Sequence, residues 1–313
     1  MFSLEGRRAP GIYLVAWVLA ILGLGLLLVG LLSAGQSNAG AAAALLSGSG
    51  ALDVAFLAFC GYQSLARADR HPDAYRGPAP LLVFGALFFL QLLVAAALIA
   101  GGLPDPTVNP AAAMVSLLVT GLLYAALVWV AVVRTGALTW HDMGWPTRGI
   151  APGRLAADAL GAVVAIVPTY LFSIVVAAIL ATAMRVTPSS ALPEPRTWAE
   201  VVPVAVAAIL VAPVGEELFF RGFALTAWAR DIGAWSALIR TTVFFALVHI
   251  LNVTADSAAQ GLQLALIAFA TILPVAYVLG WLFLRRGIVA SIAGHMTFNA
   301  IGVAALVATS QIR

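Results

Sequence analysis

Two adjacent carboxylates, Glu216 and Glu217, stand with Arg221 inside apolar sequence, with 201–211 before them and 223–228 after. A charge at mid-bilayer costs about 2.5 to 3.5 kcal/mol even on the lenient insertion scale, so this group needs partners and a reason to be there. The acid-first i, i+4 spacing suits an ion pair between Glu217 and Arg221. Glu216 then points about 100° away around the helix and has no cation on its own helix, the setting of a general base. His249 and His295 also lie within apolar runs, nine residues after Arg240 and nine after Arg286 respectively. If those arginines mark one membrane face, both imidazoles sit about 13 to 14 Å below it and can face each other. Asn299 follows His295 by four residues and shares its helix face. A base, two imidazoles and an amide at one depth can activate a water and hold a developing oxyanion. The plain alternative is structural: buried charges are usually paired, and intramembrane histidines bond neighbouring helices. Six such residues converging from three helices favour chemistry.

The composition says what positions them. The chain has 313 residues, of which 63% are hydrophobic and 9% charged, where a soluble domain carries roughly 25% charged residues. Apolar runs near the length needed to cross a bilayer recur throughout. The expected fold is therefore all-α, a polytopic transmembrane helix bundle of about nine spans, with the chemistry on three helices of the C-terminal half. The runs read as 12–32, 51–66, 80–100, 111–133, 155–184, 200–228, 235–251, 261–284 and 288–307. The first is longer than the roughly 7 to 15 apolar residues of a signal peptide. Residues 35–50 read as a Gly/Ala/Ser-rich loop, which makes the second span short. Pro168 interrupts the fifth span, and Pro203 and Pro213 are expected to kink the sixth. The segment 134–154, with Trp140, His141 and Trp145, reads as an aromatic-anchored interfacial loop.

All 16 cationic residues are arginine. Scattered at helix ends, they form no nucleic-acid footprint. With the N-terminus inside, alternation puts Arg7, Arg8, Arg67, Arg70, Arg76, Arg134, Arg148, Arg154, Arg230, Arg240, Arg285 and Arg286 on one side. Only Arg185, Arg196 and Arg313 fall on the other. The positive-inside rule then gives a cytoplasmic N-terminus and an outer C-terminus, and the expected location is the plasma membrane. Cys60, the single cysteine, excludes an intramolecular disulfide.

Taken in order, Glu216-Glu217-x-x-x-Arg221, Phe245-x-x-x-His249 and His295-x-x-x-Asn299 resemble the three motifs of the CPBP family of intramembrane proteases. This family of CAAX prenyl endopeptidases and bacteriocin-processing proteins is also called the ABI family. The resemblance covers about 200–307, so 154–313 reads as a protease core and 1–153 as N-terminal spans without an assigned role. It implies that Glu216, helped by His249, activates water, that His295 and Asn299 stabilise the oxyanion, and that Glu217 and Arg221, with Phe245, support the site. It also implies membrane lipid as surroundings, cytoplasmic access, and a peptide or membrane-anchored protein substrate, prenylated ones included. No cofactor is favoured. Zn²⁺, held by Glu216, His249 and His295, is the alternative, set against the lack of a His-Glu-x-x-His and the poor fit of Asn to zinc. Two other functions compete: a proton-coupled transporter, disfavoured because nearly all intramembrane ionisable residues lie in one half, and a non-catalytic immunity or scaffold protein on the same fold.

Overall fold

A computed structural model describes residues 9–33, 39–146, 149, 151–188, 192–310 and 312. Arg7, Arg8, Arg148 and Arg313, counted in the charge layout, lie outside the described residues. There is no strand among the described residues, and nine helices are long and apolar enough to cross a membrane. They are α1 Pro10–Ser33, α2 Ala39–Ala66, α3 Pro80–Ala100, α4 Pro110–Val133, α5 Pro152–Met184, α6 Trp198–Ile232, α7 Ala234–Asn252, α8 Ala258–Arg286 and α9 Ile288–Thr309. The protein is a multi-pass, all-helical bundle.

The reading of 35–50 as a loop is corrected. From Ala39 onward this stretch is the first part of α2, which runs for 28 residues. Its small residues are contact surface: a Cβ on Gly48 would lie 2.8 Å from the Leu27 nitrogen and 2.9 Å from the Gly23 oxygen, both on α1. In a membrane, small residues mark where helix backbones approach closely, whereas in water the same composition marks a flexible loop. The second span is thus long enough to cross a membrane.

The chain groups into two compact units, Met1–Leu103 with Leu123–Thr139, and Pro104–Leu122 with Trp140–Arg313. The second unit holds every residue of the three motifs and extends beyond the expected 154–313 core. Its centre is Ala162 and Ile166 of α5 packed on Val275, Leu279 and Leu282 of α8, with Ala293 and Phe298 of α9 against them. Pro168 does not interrupt α5, which continues through it. Neighbouring helices and lipid tolerate one missing backbone donor.

One end of this unit collects arginines. Arg230 pairs with Asp142 at 2.6 Å, and Arg286 bonds Ala157 O and Asp158, so Arg154, Arg230, Arg285 and Arg286 share that end. At the other end, Gln263 of α8 bonds Met184 O at the close of α5.

Candidate active site

α6 carries the first motif and is wound to suit it. Around the expected kink sites Pro203 and Pro213 it contains two π-helical stretches, Val206–Val211 and Leu218–Leu225. Such insertions often mark functional sites. In the first, the Ala212 amide reaches back five residues to Ala207 O. In that register Ala208 O would need the amide hydrogen of residue 213, and Pro213 has none. Asn299 fills the gap, its Nδ2 donating to Ala208 O at 2.7 Å. One of the two Asn299 amide hydrogens is therefore engaged and one remains.

The Glu217–Arg221 pair forms as the spacing predicts, at 2.8 Å with side chains 0% and 1% exposed. Glu217 also accepts from His295 Nδ1 at 2.8 Å and from the Ser291 hydroxyl. Arg221 gives its second arm to Ala276 O of α8 at 3.0 Å and lies 4.3 Å over the Phe245 ring, a cation–π contact. Phe245 is 2% exposed, stacks 4.3 Å from the His249 ring and bonds His249 Nδ1 through its carbonyl at 2.9 Å. Ser291 is the participant that sequence reasoning missed. It is fully buried, also bonds Leu279 O, and precedes His295 by four residues on the same face of α9. That i−4 spacing was the one signal available for it.

Both histidines meet Glu216. Glu216 Oε2 lies 3.9 Å from His249 Nε2 and 3.9 Å from His295 Nε2, and no hydrogen bond reaches this buried oxygen. The two imidazoles thus share one level in the bundle. His249 is three residues from the end of α7, whereas His295 is seven from the start of α9. The two helices are therefore staggered along the bundle, α7 starting further toward the arginine end than α9.

The hydrogen bonds fix the tautomers. A carbonyl and a carboxylate only accept, so both Nδ1 atoms carry protons, and in a neutral ring each Nε2 presents a lone pair to Glu216. The cluster holds two carboxylates and one guanidinium. A proton shared among Glu216 and the two Nε2 atoms would balance it.

A cavity of about 420 Å³ reaches His249. Tyr170, Leu264, Ile267 and Phe298 give it an apolar wall, and Thr107, Pro188, Val253 and Thr254 line it away from the arginines. At the arginine-bearing end the packing is close. Met143, Phe223 and Ile288 are fully buried there, and a Cβ on Gly222 would lie 3.2 Å from Ile288 and 3.4 Å from Met143.

Glu216, His249 and His295 are zinc-ligand types, with both Nδ1 atoms held as second-shell bonds hold them. The spacing fits less well. Ligand atoms about 2 Å from a tetrahedral zinc sit about 3.3 Å apart, against 3.9 Å here, and among the described residues no metal-ready group of three is present. Atoms 3.9 Å apart suit a water at ordinary hydrogen-bond distance from each.

Residues 198–301 match the family model described as Type II CAAX prenyl endopeptidase Rce1-like. The match starts at the first residue of α6 and takes in all three motifs, in line with the resemblance to CPBP proteases. No curated protein and no solved structure gives a match to the chain.

Proposed function

We propose that the protein is an intramembrane endopeptidase that hydrolyses a peptide bond of a membrane-associated protein or peptide. The observation that carries this reading is the unbonded Glu216 Oε2, 3.9 Å from each of two imidazole Nε2 atoms, one of them on His249, which lines a cavity. A water bonded to Glu216 and His249 gives a proton to Glu216 as its oxygen attacks the substrate carbonyl. The free N–H of Asn299 and a protonated His295 face the resulting oxyanion. Glu216 then passes its proton to the departing amine, and the carbon–nitrogen bond breaks. Glu217 holds His295 in the required orientation, and Arg221 holds Glu217. No step uses a metal.

With the arginine end cytoplasmic, the positive-inside rule puts the N-terminus inside, the C-terminus outside and the cavity on the outer side. Substrate then enters from the outer side or laterally from lipid. The test compares the N- and C-terminal peptides of membrane proteins in cells carrying wild type or Glu216→Gln at equal abundance. New termini present only with wild type support the reading; identical profiles refute it. A purified active protein should keep its activity in chelator. One zinc per chain, lost together with activity, would overturn the metal-free step.

A further inference from the structure

The arginine end of the second unit holds a second hollow, of about 770 Å³, that the proposed hydrolysis does not use. Trp145, Arg154, Asp158, Arg285 and Arg286 line it, together with the turn from Gly287 into α9. Three guanidinium groups face one carboxylate. Asp158 is shared, lying 3.8 Å from Arg154 and 3.4 Å from Arg286. Among the described residues no ion pair reaches Arg285, which is exposed.

Two further features favour an anion. α5 and α9 both begin at this hollow, and neither start carries a side-chain cap, so positive helix ends point toward it from two directions. The Trp145 indole N–H is buried at the rim without an acceptor. The C-terminal end of α8, which would repel an anion, carries Arg285 and Arg286 in its last turn. Donors and positive charge thus converge on one spot with a single, already shared, carboxylate.

We propose that this hollow binds a phosphate group, supplied by the headgroup of an anionic phospholipid. A phosphate has several acceptor oxygens for the Arg fork, the indole and the helix-start amides. The setting points to lipid. The hollow lies where transmembrane helices end, and beside it Trp140 and Trp145 pack edge to face at 6.3 Å, with Trp140 37% exposed, as interfacial aromatics do. Basic pockets between helices at the cytoplasmic face are a known form of headgroup site. Bound there, the headgroup would hold the start of α9, seven residues before His295.

The test uses the full-length protein in neutral detergent with phosphatidylglycerol, phosphatidylcholine or inorganic phosphate, and reads bound lipid by native mass spectrometry. Phosphatidylglycerol should bind saturably and phosphatidylcholine should not. Arg285→Gln, which breaks no observed ion pair, should weaken binding about fivefold, and Arg154→Gln/Arg285→Gln further. Arg240→Gln, whose guanidinium stacks on Trp228, should leave it unchanged. Inorganic phosphate should compete with the lipid only at much higher concentration. If it binds as tightly as phosphatidylglycerol, the phosphate chemistry stands and the lipid source is wrong. Equal retention of phosphatidylglycerol by wild type and the double variant, or equal binding of both lipids, overturns the site.

Discussion

Replacing Glu217 by glutamine keeps the shape of the side chain and removes its charge. The structure sets the cost. Glu217 is fully buried and accepts from Arg221, His295 and Ser291. After the change, Arg221 remains 1% exposed with only neutral oxygens to accept from it, Ala276 O and the new side-chain amide oxygen, and its charge is unbalanced. Breaking one side of a buried ion pair typically costs about 3 to 5 kcal/mol. Removing the cation as well should recover most of that, because Glu217→Gln/Arg221→Met strands no charge. Ser291→Ala loses one bond to a charged acceptor and should cost less, about 1.5 to 3 kcal/mol. Reversible unfolding in mixed micelles across wild type, Glu217→Gln, Arg221→Met and the double variant gives the coupling directly. A Glu217→Gln variant within about 1 kcal/mol of wild type, or a double variant less stable than the sum of its singles, would refute the brace. His295 would then need another source of its orientation.

Asn299→Ala should lower turnover roughly 10² to 10³-fold, with His295→Ala alike and the double variant less than the product, since these groups act as a unit; single-turnover cleavage assays decide it. In a Cys60→Ser background, cysteines at Thr107 and Asp256 should react with an impermeant thiol reagent in sealed right-side-out cells, while cysteines at Arg70 and Arg285 should not. The reverse pattern would place the cavity on the cytoplasmic side. Gly48→Ala forces a methyl against the α1 backbone and should cost about 1 to 3 kcal/mol. Gly50→Ala, with nothing within 4 Å of the new methyl, should be neutral or stabilising by up to about 1 kcal/mol through helix propensity; thermal unfolding of the two variants separates contact surface from loop.

Along the chain, the sequence alone settled what lies within one helix. Apolar runs of bilayer length require spanning helices, because in lipid only a helix or closed barrel satisfies its own backbone. The i, i+4 spacing paired Glu217 with Arg221 and put His295 and Asn299 on one face, since 3.6 residues per turn converts spacing directly into position. The same rule contained Ser291, but a serine in an apolar helix commonly bonds its own backbone, so nothing in its type set it apart. Segment 39–50 was misread because glycine and serine carry opposite meanings in water and in lipid. What lies between helices was left to tertiary structure. The stagger that brings His249, near the end of α7, to His295, near the start of α9, depends on how whole helices slide past one another. So do the carbonyls of Ala208 and Ala276 as acceptors, the first of them freed by the π-stretch before Pro213. The side from which the cavity reaches His249 follows from packing of Met143 and Ile288 under Gly222. None of these has a local signal, because each depends on the relative placement of rigid elements, which side-chain packing fixes only once all of them are present.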